Sequence, residues 1–341
     1  MTRLTDDLSF LAKGSRLLGN VVSGRPFLVN WQITYRCDFA CSSCLFWKEP
    51  HSAADELTLE QVRLASEKLK PLAPLAISMS GGEPLLREDL PQIARLLSKD
   101  HFFSIITNGW HVTAERAARL YEAGLGDVHV SVDYASAAPH DGQRGRPGAF
   151  ERALRALEIF RDARPSRRHR VHALALLLED NLDDIERLVL LAEEMGISVE
   201  LSLYSDRRGR LPRRTPRRPV AEFLRQLKAH HPSSFVPMAG YLDAFDQAVA
   251  NHGVPSCGAG RTFFNVDEKG NVGLCINELE RPVGNLLTDS TATLVAALQQ
   301  RHHDNPCGAC WTSCRGLGDV ISGPAGFARS AADFFRAVRP R

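Results

Sequence analysis

Three of the eight cysteines, Cys37, Cys41 and Cys44, stand together in the segment TYRCDFACSSC with the spacing C-x3-C-x2-C. Thiolates are soft ligands that suit iron–sulfur clusters and zinc. Three of them in one short loop can hold three irons of a cubane and leave the fourth iron open. A zinc ion completed by a distant fourth ligand is the alternative. The other five are Cys257, Cys275, Cys307, Cys310 and Cys314, with Gly270-x4-Cys275 followed by C-x2-C-x3-C. Four thiolates would saturate a second cluster or a zinc ribbon, so one is spare. His302 and His303 are near enough in sequence to ligate, although paired histidines at a helix end are more often solvated. The opening MTRLTDDLSF carries two acids where an export signal has its apolar core. A reducing, cytoplasmic setting is therefore expected, where clustered cysteines read as metal ligands before disulfides.

Three further segments carry polar groups in suggestive places: Gly81-Gly82-Glu83-Pro84, Thr107-Asn108-Gly109 and HVSVDYA at 129–135. Taken alone, the first two are tight turns. Tyr134, Tyr204 and Asp206 are candidates for moving protons. Arginines gather at 161–170 and 206–218; most such stretches are solvated, but the second could form an entry rim for an anionic substrate.

The elements that must position these residues alternate. Strand-like runs fall at 27–33, 75–79, 102–106, 128–132, 171–178 and 199–204. Helix-like segments fall at about 58–70, 88–98, 113–123, 148–162 and 182–195, and Thr58-Leu59-Glu60-Gln61 fits a capping box. Six βα units predict an α/β fold, a partial (β/α)6 TIM-like barrel, with an open doubly wound sheet as the alternative. The Cys37–Cys44 loop follows the first strand, at the end where such folds place their chemistry. An N-terminal helix (1–26), the barrel (27–218) and a helical linker with a small Cys-rich C-terminal extension (219–341) are the expected domains. The extension should contain a hairpin turning at Lys269-Gly270. The chain of 341 residues, 24% charged and with formal net charge +2, has ordinary globular composition. That charge argues against a dedicated nucleic-acid binder, and no apolar run is long enough for a membrane span.

In motif and order the segment 27–205 resembles the radical S-adenosylmethionine (SAM) enzymes. The resemblance implies that Cys37, Cys41 and Cys44 ligate a [4Fe–4S] cluster whose open iron is chelated by SAM. Gly81, Gly82 and Glu83 would receive the methionine amino group, Ser131 or Asp133 the ribose, and Asn108 would support the pocket. Where most members carry an aromatic residue before the third cysteine, this chain has Ser43. Its carbonyl can accept from the adenine amino group, with Phe46 or Trp47 packing the ring. The C-terminal cysteines resemble SPASM or twitch extensions, which implies one auxiliary [4Fe–4S] cluster held by Cys257, Cys275 and two of Cys307, Cys310 and Cys314. The implied reaction uses a 5′-deoxyadenosyl radical to abstract hydrogen from a small alcohol or sugar, or from a peptide. An electron donor such as flavodoxin or ferredoxin is the implied partner. Only about 26 residues precede the first strand, which tilts the expectation away from a self-sufficient peptide modifier. A maturase needing a partner for leader binding, and a non-redox zinc-binding module, are the alternatives.

Overall fold

The computed structural model describes residues 2–205, 214–278 and 280–338. Six strands run parallel in the order of the sequence: β1 (Leu28–Thr34), β2 (Ala76–Gly81), β3 (Phe102–Thr107), β4 (Asp127–Ser131), β5 (Arg170–Leu177) and β6 (Ser198–Leu203). The helices are α1 (Thr2–Ser23), α2 (Leu59–Leu69), α3 (Leu90–Leu97), α4 (Ala114–Glu122), α5 (Ala137–Arg144), α6 (Ala149–Ala163) and α7 (Leu182–Met195). Towards the C-terminus they continue with α8 (Ala221–His230), α9 (Ala239–Asp243), α10 (Phe245–Ala250), α11 (Thr291–His303), α12 (Ser313–Ile321) and α13 (Gly323–Val338). The sheet curls into a partial, unclosed barrel. Every expected strand is present within a residue or two of its predicted bounds.

Alternation along each strand explains the two layers. On β4, Val128 and Val130 are fully buried in the apolar core, whereas Asp127, His129 and Ser131 line the lumen. On β1, Val29, Trp31 and Ile33 are buried in that core while Asn30 and Gln32 face inward. Ser78 and Ser80 of β2 and Ser104 of β3 continue a polar inner wall. The capping box forms as expected: Thr58 Oγ1 accepts from Gln61 N at 3.3 Å and Gln61 Oε1 from Thr58 N at 2.9 Å.

Beyond residue 219 the chain adds three more strands to the same sheet. β7 (Phe263–Val266) pairs in parallel with β1, Leu28 against Phe263, and β8 (Asn271–Gly273) and β9 (Gly284–Asn285) follow antiparallel. The result is one nine-stranded sheet ordered β6-β5-β4-β3-β2-β1-β7-β8-β9. The predicted turn lies between β7 and β8, with Gly270 at φ 80°. No helix among the described residues is long and apolar enough to cross a membrane.

Candidate active site

The Cys37–Cys44 loop leaves β1 and is stitched to the turn after β2. Gly82 N donates to Thr34 O at 2.7 Å and Glu83 N to Arg36 O at 2.8 Å. A Cβ at position 81 or 82 would come within 2.0 Å of the Thr34 or Arg36 carbonyl, so close backbone approach requires both glycines. From the other side α5 clamps the loop. Ser42 N donates to Gln143 O at 2.9 Å, and Gly145, with φ 63°, lets the chain pass Ala40 O. Asp38 anchors a third side, accepting from Asn108 Nδ2 at 3.1 Å and Arg146 Nη1 at 2.6 Å and pairing with His111 at 3.0 Å. The Arg146 guanidinium lies 3.7 Å above the Trp110 ring. Phe39 and Trp110 pack around the cysteines.

All three sulfurs border a cavity of about 500 Å³ that opens along the barrel lumen. Ser43, Phe46, Trp47, Gly81, Gly82, Asn108 and Ser131 also line it. Phe46 stacks on Tyr35 with centroids 4.7 Å apart, and Trp47 Nε1 donates to Cys41 O at 3.0 Å. Burial pushes the Cys37 thiol up to about 12 and raises Cys41, which neighbouring Arg144 partly offsets. Such thiols ionise when a metal supplies positive charge.

Two expected ligands turn inward. Glu83 is fully buried, with Oε1 accepting from Leu85 N (2.9 Å) and Thr107 Oγ1 (2.8 Å) and Oε2 from Asn108 N (2.7 Å). It fastens the turn after β2 to the turn after β3, and burial raises its pKa to about 7. Asp133 is also fully buried; Oδ1 accepts from Leu176 N at 3.0 Å and Oδ2 pairs with Arg144 Nη2 at 2.9 Å. Its carboxylate is spent on that arginine, which leaves Ser131 as the lumen-facing group of the pair. Sequence reading missed Arg144 itself. It ends α5, touches the Cys41 sulfur, borders the cavity, and its Nε lacks a hydrogen-bond partner. Gly145 directly after it, in the left-handed conformation that closes a helix, was the available signal.

Cys257, Cys275, Cys307, Cys310 and Cys314 line one small cavity beside β7. Fully buried Arg315 ties its walls together, donating to Cys310 O (2.6 Å), Pro255 O (3.2 Å) and Asp319 Oδ2 (3.1 Å), and to Val254 O. Burial lifts Cys257 to about 12. Of the five, Cys314 alone also borders the large lumen, beside Thr312 and Ser313. His302 does not line this cavity; its Nδ1 meets Ala259 O at 3.0 Å.

Tyr204 lines the lumen, whereas Tyr134 donates to Asp180 Oδ1 at 2.8 Å. Asp206 and most of the second arginine stretch lie outside the described residues. Arg214, at its described end, donates to Gln143 Oε1 (2.6 Å) and Ser42 Oγ (3.2 Å). Arg170 of the first stretch belongs to the barrel wall, paired with Asp127.

The Radical SAM superfamily family model matches residues 31–192. The chain is 32% identical over 176 residues to the AdoMet-dependent heme synthase of Methanosarcina barkeri, covering 51% of this chain and 49% of that protein. It thus spans about half the length of that relative. It is 26% identical over 317 residues to mycofactocin maturase MftC of Mycolicibacterium smegmatis, covering 85% and 77%. Two solved structures share the fold. One is native anSMEcpe with bound AdoMet and Cp18Cys peptide, at TM-score 0.63 and 17% identity, covering 91% of this chain and 96% of that one. The other is Streptococcus suis SuiB bound to precursor peptide SuiA, at TM-score 0.63 and 16% identity, covering 86% and 69%.

Proposed function

We propose that this chain, whose residues 31–192 match the Radical SAM superfamily, is a radical SAM enzyme that draws a peptide segment into the barrel lumen for hydrogen abstraction. The observation that carries the reading is the shared lumen, with Cys37, Cys41 and Cys44 on one wall and Cys314, Thr312 and Ser313 on another. Bound there, SAM and a [4Fe–4S] cluster with one open iron supply a 5′-deoxyadenosyl radical able to take hydrogen from an unactivated C–H. The residues of the chain do the placing. Arg144, a buried cation bordering the cavity, pairs with the carboxylate of SAM. The backbone of Gly81 and Gly82 meets its amino group, Ser131 a ribose hydroxyl, and the Ser43 carbonyl and Phe46 the adenine. Glu83, Asn108 and Asp38 keep these loops in place, and Phe39, backed by Trp110, gives the cavity an apolar wall that keeps water away.

The second cavity would hold one auxiliary [4Fe–4S] cluster on Cys257, Cys275, Cys307 and Cys310, which would supply an electron acceptor for an oxidation. The electron would come from a one-electron protein such as flavodoxin or ferredoxin. The peptide class is supported by the relatives that cover most of both chains: one is a maturase, and two solved structures hold bound peptides. A small alcohol or sugar is the competing substrate class. The test begins with reduced, reconstituted protein and SAM. It should release 5′-deoxyadenosine, while Cys41→Ala should not, yet should keep the iron of the second cluster. Loss of both clusters together would count against independent sites. Short precursor peptides encoded beside the gene, incubated and weighed by mass spectrometry, then decide between the substrate classes. Conversion of small alcohols alone would reject the peptide reading.

A further inference from the structure

The floor of the lumen carries a polar cluster that SAM chemistry does not use. His129 on β4 stands directly opposite His172 on β5, and His172 opposite Ser198 on β6; Glu200 lies two residues further along β6. Three adjacent strands thus bring two imidazoles and a carboxylate to one level. One ligating atom from each of His129, His172 and Glu200 lies within 4.8 Å of the other two. His129 Nδ1 is 3.2 Å from Glu200 Oε2. His172 is fully buried, its Nδ1 is 2.8 Å from Ser198 Oγ, and its Nε2 has no partner. With the proton on Nδ1 and donated to Ser198, the Nε2 lone pair is left bare. A buried lone pair without a partner is costly, and a second group that fixes a histidine's tautomer is the usual support of a metal ligand.

We propose that His129, His172 and Glu200 form a divalent transition-metal site in the barrel floor, with its open coordination positions facing the lumen. Two imidazoles and one carboxylate with open positions suit ions such as Fe(II), Mn(II), Co(II) or Zn(II). His129 and Glu200 border the cavity, so those positions point to where a substrate would lie; this last step rests on the function proposed above. The neighbouring Asp127 and Arg170 are already paired with each other. Without an ion, His129 and Glu200 face each other; a divalent ion between them would bring positive charge to attract a substrate oxygen. The two rings are now nearly parallel, 12° apart with centroids 4.8 Å from each other. No ion can lie in both ring planes at once, so binding requires His129, the ring bordering open space, to tilt out of the stack.

The test uses holoprotein with both clusters oxidised and EPR-silent, titrated with Mn(II), which thiolates compete for poorly. The wild type should bind one Mn(II) per chain, and pulsed EPR should show couplings to two histidine nitrogens. Ser198→Ala, which only frees Nδ1, should weaken binding about 10-fold. His172→Ala should abolish it while the iron content stays unchanged. Absence of stoichiometric Mn(II) binding, or binding without nitrogen couplings, overturns the site even if every variant misfolds. Iron content and 5′-deoxyadenosine release are read separately, so failure of the metal site is distinguishable from failure of the radical SAM function.

Discussion

Replacing Glu83 by Gln separates a loop-fastening carboxyl from a ligand-binding one. Leu85 N and Asn108 N each donate to a different oxygen of Glu83, at 2.9 and 2.7 Å. Glutamine has one oxygen, so one of these N–H groups must face an NH2 group. The side chain is fully buried and water cannot repair the mismatch. An unsatisfied buried donor costs about 1–3 kcal/mol. At pH 6 the Glu83 carboxyl, with its pKa raised to about 7 by burial, is mostly protonated, so charge is nearly matched between Glu and Gln. The comparison then isolates the loss of an acceptor. Taking about 2 kcal/mol and an unfolding entropy of about 2.1 cal/mol/K per residue, Tm should fall by about 3 °C. The assay is a thermal scan without SAM, followed by equilibrium dialysis with it. An unchanged Tm together with weaker SAM affinity would refute the reasoning, because the carboxyl would then meet the ligand and not the loop.

Arg144→Met should lower stability by about 3–5 kcal/mol, because it strands Asp133 as a buried unpaired charge. Adding Asp133→Asn should restore Tm but not SAM affinity; recovery of both would remove Arg144 from the SAM site. Acid should also weaken the fold through His101 and His140, whose pKa values burial lowers to about 4. The unfolded chain takes up their protons near pH 6.5, so this stability is complete above that pH and is lost as pH falls towards 4. Each histidine contributes about 3 kcal/mol to the loss. Glu83, raised by burial, acts in the opposite sense, so the clean measurement is the difference in denaturation midpoint between wild type and His101→Gln; an equal pH slope in both would contradict it. Cys314→Ser should retain the iron of the second cluster, whereas Cys257→Ser should lose it; loss in Cys314→Ser would make that thiol a ligand.

The parallel strands were legible because each βα unit repeats one local pattern, apolar on the outer face and bounded by turns. Helix α5 was not. Its sequence holds Pro139 and Gly142, and its buried residues include His140, Gln143 and Arg144, so no apolar period marks it. Yet it carries the arginine beside Cys41. Glu83 and Asp133 were recognised as important by type, but a sequence does not reveal which way a carboxylate turns. Both answer to hydrogen-bond donors from neighbouring strand ends, a partnership formed only when the sheet assembles. The β1–β7 pairing was hidden for a related reason: four hydrophobic-to-polar positions, FFNV, match a partner that is remote in the chain. The two histidines and the glutamate of the lumen floor were overlooked because they stand singly in three strands and meet only across the sheet.

That same pairing decides the order in which the molecule can be completed during synthesis. β1 has β2 on one side soon after it emerges, but its other edge waits for Phe263–Val266. Until then the strand that launches the Cys37 loop presents a row of open backbone groups, a template for pairing with other chains. Shortening the chain before β7 would therefore make a sticky, aggregating protein, and not a smaller enzyme with one cluster. Metal loading in the cell faces the same clock, since a cysteine loop hung on a half-paired strand is filled securely only once the last third of the chain has arrived.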